Sequence, residues 1–81
     1  MMTAEVLDVV EDKRGRTNVV IQLRSGEFAV GMKLKSGASR WRITSFGFIP
    51  ARAFAKGVRA IVLKPEGPVN PLNPGDVLKS A

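Results

Sequence analysis

Met32-Lys33-Leu34-Lys35-Ser36-Gly37-Ala38-Ser39-Arg40-Trp41-Arg42-Ile43-Thr44-Ser45-Phe46 consists of two alternating runs on either side of a short polar turn. Met32 and Leu34 alternate with Lys33 and Lys35; Trp41 and Ile43 alternate with Arg40, Arg42 and Thr44. A period of two is the pattern of a half-buried strand, whose successive side chains point to opposite faces. Paired as a hairpin, the two runs bury their apolar residues and present Lys33, Lys35, Arg40 and Arg42 together on the outward face. The alternation changes phase at Phe46, which predicts a bulge near Ser45 that turns Phe46 or Phe48 back towards the core.

The same periodicity continues on both sides of this hairpin. Val6 to Val10 is a short β-rich run that ends in the polar cluster Glu11 to Arg16. Thr17 to Leu23 follows, with Val19, Ile21 and Leu23 on one face, and the two runs read as antiparallel neighbours joined by a basic turn. Ser25-Gly26-Glu27 breaks the chain, and Phe28 and Val30 lead through Gly31 into the hairpin. Beyond Pro50, Ala51 to Lys56 suits one turn of helix, an edge strand or a loop. Gly57 then precedes Val58-Arg59-Ala60-Ile61-Val62-Leu63, the strongest candidate for a core strand. Four prolines between Pro65 and Pro74 predict a rigid loop over 65–74 without regular structure. Asn73-Pro74-Gly75-Asp76 is a turn signal that leads into Val77-Leu78. Short strands, frequent turns and no amphipathic helix predict an all-β fold, a single domain over 1–81. The expected form is a small closed antiparallel barrel of six to seven strands, since closure removes exposed edges.

The 81 residues, 44% apolar and 25% charged, have the composition of a globular chain. A chain of this size hides only about 60–65% of its unfolded surface, so its stability is expected to be modest. It contains no cysteine, histidine or tyrosine. Disulfides, thiolate metal sites and cysteine nucleophiles are thereby excluded, as are the commonest general base and the commonest metal ligand. Glu11 and Asp12 are adjacent carboxylates on a turn and suit solvation better than a shared reaction centre. The serines have no histidine to activate them. The expectation is a protein that is not an enzyme and carries no metal or cofactor. Neither a signal peptide nor an apolar stretch of about 20 residues is present, which points to a cytoplasmic chain without membrane contact.

Charge is unevenly distributed. The net charge is +6, but residues 13–64 carry twelve Lys or Arg against one acid, Glu27, a net +11. Residues 1–12 carry four acids and no base, and residues 65–81 a net −1. A basic middle between acidic ends suits attraction to phosphate backbones or acidic proteins. Lys13, Arg14 and Arg16 crowd one turn, while Lys33, Lys35, Arg40 and Arg42 flank another. These seven are the candidate nucleic-acid-binding residues. Trp41 is a possible base-stacking platform, although its alternation with Ile43 favours the core. Phe46-Gly47-Phe48 is a possible protein contact or homodimer seam, with core packing the favoured reading.

From Val6 to Leu78 the chain resembles domain II of the translational GTPases, the barrel that follows the GTPase domain in elongation factor Tu and its relatives. Arg14-Gly15-Arg16-Thr17 with Asn18-Val19-Val20 resembles the family's Gly-Arg-Gly-Thr-Val-Val turn and strand. Gly26 to Gly31 with Met32-Lys33-Leu34 resembles its Gly-x-x-x-Val-Gly-x-x-Val segment. Ala55-Lys56-Gly57 before Val58 to Leu63 resembles its Ala-Gly turn and apolar strand, and Asn73 to Leu78 its closing Lys/Arg-Gly-Asp-Val-Leu. The order and spacing of all four agree. Gly26, Gly31, Gly57, Gly75 and Asp76 would then be structural turn residues. The chain departs from the family in carrying Arg16 for the turn's second glycine and Ile21-Gln22 where a strand glycine is usual. It has no Gly-x-x-x-x-Gly-Lys-Ser/Thr phosphate loop. The resemblance implies a non-catalytic, stand-alone binding module for RNA or the ribosome; the alternative is a protein-interaction or self-association module on the same scaffold.

Overall fold

A computed structural model describes residues 2–11, 16–47 and 57–81. Within them lie six strands: β1 (Thr3–Glu11), β2 (Thr17–Ser25), β3 (Lys33–Ser36), β4 (Ser39–Phe46), β5 (Val58–Pro65) and β6 (Val77–Ser80). All neighbours are antiparallel, and the order β1-β2-β5-β4-β3-β6 closes on itself when β6 pairs with β1. The expected all-β closed barrel is therefore the fold, and the described residues contain no helix. No helix among them is long and apolar enough to cross a membrane.

Alternation builds the interior as the sequence predicts. On β4, Ser39, Trp41 and Ile43 are buried while Arg40, Arg42 and Thr44 are exposed. They meet Ala4 and Val6 of β1, Val19 and Ile21 of β2, Leu34, Ile61, Leu63 and Leu78 in one apolar cluster. Met2 joins this cluster, its amide donating to Ser80 Oγ at 3.0 Å while Ser80 N donates to its carbonyl. The proline-rich loop contributes as well. Leu72 is buried in the cluster and Val69 packs against it, and Asn70 N donates to Ser39 Oγ at 2.9 Å. The loop thus seals part of the interior without forming a strand.

β5 is buried on both faces. Ile61 and Leu63 face the interior, whereas Val58, Ala60 and Val62 are buried outside the interior cluster. Gly47 lies tight against this outer side, its amide donating to Ala60 O at 2.8 Å. A Cβ there would meet Ala60 Cβ at 3.0 Å.

Three register shifts adjust the barrel. The extra residue is Arg24 on β2, opposite Thr3–Ala4, Leu7 on β1 and Thr44 on β4. The shift at Thr44 is the predicted phase change, one residue earlier than expected. Its consequence differs from the expectation. Phe46 pairs with Ile61 at the end of β4 but remains 56% exposed, and its ring stacks obliquely on Phe28 at 6.4 Å instead of entering the core. Phe48 and Ala51–Lys56 fall outside the described residues.

The four glycines expected to be structural, Gly26, Gly31, Gly57 and Gly75, all have positive φ. Gly57 is the most constrained. With φ +79°, it would place a Cβ 2.5 Å from Gln22 Nε2 and 3.3 Å from Leu23 O, whose neighbouring amide already bonds to the Gly57 carbonyl. Gly75, at φ +97°, has open space around it. Gly57→Ala is therefore expected to cost about 1–2 kcal/mol and Gly75→Ala about 1 kcal/mol, the positive φ being common to both, the Gln22 amide free to swing aside and the Leu23 carbonyl adding the rest. Urea unfolding of the two variants side by side measures this. Asp76 acts as its turn position suggests, Oδ2 accepting from Asn73 N at 2.8 Å.

Candidate nucleic-acid interface

The hairpin assembles four of the seven predicted cations. Lys33 stands opposite Arg42 and Lys35 opposite Arg40, with all four side chains exposed. Ser36 and Ser39 close the hairpin over Gly37-Ala38. Gly37 has φ +59° and Ala38 does not have positive φ, the signature of a type II′ turn, whose twist matches the flanking strands. The tight two-residue link fixes the register and hence which cations face each other.

Barrel closure extends the set beyond the hairpin. On one side, Arg42 pairs with Lys64 of β5; on the other, Lys35 pairs with Lys79 of β6. The outer wall consequently carries two rungs of three cations, Lys33–Arg42–Lys64 and Lys79–Lys35–Arg40. Cross-strand neighbours have Cβ atoms about 4.5–5.5 Å apart, and the rungs are about 7 Å apart along the strands. Lys64 and Lys79 do not figure among the sequence candidates. Lys79 lies in a segment of net negative charge, and its approach to Lys35 depends on β6 pairing with β3 across the closure. The local signal was the buried Leu78 beside it, which implies an outward Lys79.

Arg16 is exposed and immediately precedes Thr17, which pairs with Leu63, so it lies near the Lys64 end of the wall. Lys13 and Arg14 fall outside the described residues.

Like charges directly opposite one another are destabilising in a sheet. Among the described residues only Glu66 relieves the cluster, its Oε1 accepting from Arg42 Nε at 3.2 Å. Glu5 is engaged by Arg24 and the Asp76 carboxylate by its own turn. The Arg42–Glu66 pair is half exposed, so it contributes under about 1 kcal/mol to stability. Glu66→Gln is expected to leave the unfolding midpoint nearly unchanged and to strengthen anion binding a few-fold at low salt, since it removes the wall's counter-charge. Paired melting and anisotropy measurements check both.

Exposed acids gather elsewhere. Asp8 and Glu11 project from β1, beside exposed Leu7 and Val10. Trp41 is 2% exposed and belongs to the interior cluster, as its alternation predicts, which removes it as a stacking platform. Its Nε1 is buried and has no hydrogen-bond partner among the described residues. No three acids among the described residues converge as a metal-binding group.

No family model, curated protein or solved structure matches the chain.

Proposed function

We propose that the protein is a non-catalytic binding module that holds RNA, or the RNA of a ribonucleoprotein, on its cationic wall. The observation that carries this reading is the two three-residue rungs, Lys33–Arg42–Lys64 and Lys79–Lys35–Arg40, with Glu66 as their single counter-charge among the described residues. Such a grid repels itself unless an anion with several charges lies across it. Each cation that neutralises a phosphate releases condensed counterions, which is the main driving force for nonspecific nucleic-acid binding. These contacts position a backbone and do not read bases. The closed barrel agrees with the resemblance to translation-factor domain II, and that kinship is part of the proposal. So is a cytoplasmic location.

A second reading has its own observation. Exposed Phe46, stacked on Phe28 near exposed Val30, offers an apolar contact for a protein partner or a second copy. Sedimentation of the purified chain before and after nuclease treatment separates the two. The RNA reading predicts a heavier species that nuclease removes. A nuclease-resistant dimer that Phe46→Ser abolishes would support the second reading in its place.

A further inference from the structure

We infer that Lys35 and Lys79 form a seat for one phosphate group at the end of the cationic wall. This inference deepens the RNA reading and rests on it for its biological source, but not for its test. The two lysines are direct partners on β3 and β6, both exposed, so their chains rise on the same side of the sheet. Together with Ser36, Gly37 and Val77 they line an open hollow of 420 Å³. This is ample for a phosphate with its remaining water.

The hollow differs from the rest of the wall in its counter-charges. Arg42 has Glu66, but among the described residues no acid pairs with Lys35 or Lys79. Across β1, Thr3 is the neighbour of Lys79, and the nearby Glu5 is held by Arg24. On the other side, Lys35 faces a third cation, Arg40. Two paired lysines therefore border one concave site together with the hydroxyl-bearing Ser36 and the Gly37 turn, and among the described residues no acid pairs with either. A phosphate bound there would accept from both ammonium groups in short charge-assisted hydrogen bonds. Lysines on a flat surface would share no such hollow.

The seat would anchor the register of a bound strand, and its chemistry is shared by a backbone phosphodiester and a free phosphate. Titration of the whole ¹⁵N-labelled chain with inorganic phosphate, against sodium chloride at matched ionic strength, tests it. The amides of Lys35, Ser36, Gly37 and Lys79 are expected to shift together and saturate, with chloride producing no such curve. Lys79→Gln should weaken this binding at least tenfold and Lys35→Gln likewise, while Arg59→Gln, on β5 and outside both rungs, leaves it within about twofold. Shifts that rise linearly, that spread evenly over all the cations, or that persist in both variants overturn the seat. A short oligoribonucleotide without terminal phosphates identifies the source. Competition with phosphate assigns the seat to backbone phosphodiesters, and saturable phosphate binding without competition assigns it to free phosphate. Saturable phosphate binding in a chain that binds no RNA would defeat the RNA reading and leave the seat standing. RNA binding with no localised phosphate response would do the reverse.

Discussion

Arg40→Glu combined with Arg42→Glu is expected to weaken binding to a structured RNA fragment roughly 25- to 60-fold near 0.1 M salt. Each phosphate contact contributes about 0.7 to 0.9 to the slope of log affinity against log salt. Losing two removes about 1.4 to 1.8 from that slope, and the same exponents give the loss at 0.1 M relative to 1 M. Repulsion by the new carboxylates adds to it. The fold should tolerate the change. Both side chains are exposed, and each new glutamate would face a cation, Lys35 for residue 40 and Lys33 and Lys64 for residue 42. The loss of the Arg42–Glu66 pair is small for a half-exposed contact. The melting temperature is therefore expected to change little at low salt, because the relief of opposed cations is offset by new repulsion between residue 42 and Glu66. Unchanged RNA affinity in a folded double variant would remove these residues from the interface.

The second large effect concerns the barrel itself. Ile61→Ala is expected to cost about 3–5 kcal/mol, the upper range for deleting a fully enclosed branched side chain. Ile61 sits on the strand with two long partners, opposite Val19 on one side and Phe46 on the other. It is fully buried in the interior cluster. Neighbouring strands are tied into a closed ring, so the cavity cannot collapse by moving one edge inwards. A chain of this length has only about 4–12 kcal/mol of stability in total. The variant should lose about 12 °C or more of its melting temperature. Val30→Ala, at an exposed position, should shift it by under 0.5 kcal/mol and serves as the control.

Much of this architecture was legible because alternation is a local property. Trp41, Ile43 and Leu34 declared their inward direction, and the charged residues between them declared theirs, from a dozen consecutive positions. Gly37 fixed the turn for the same reason. Phe46 was harder. The phase change was visible, but whether the ring entered the core depended on packing against Phe28, a long-range contact that no run of nearby residues encodes. The cationic wall shows the same division. Its hairpin half follows from sequence neighbours, whereas Lys64 and Lys79 join it only through β4–β5 and β3–β6 pairing. Strand order is a long-range property of closure. Segment charge was correspondingly misleading at the C-terminal end, where Lys79 lies on the basic wall and Glu66 bonds to it.

Equilibrium binding of the unaltered chain to a structured RNA fragment tests the central claim most directly, read by fluorescence anisotropy at about 50, 100 and 200 mM salt with duplex DNA alongside. If all six cations of the two rungs engage phosphates, affinity should fall by roughly 300- to 2,000-fold across that fourfold range; a preference for the RNA over the duplex separates RNA recognition from general polyanion binding. No binding at the lowest salt, or an affinity that salt leaves unchanged, would contradict the account and mark the wall as a solvated surface.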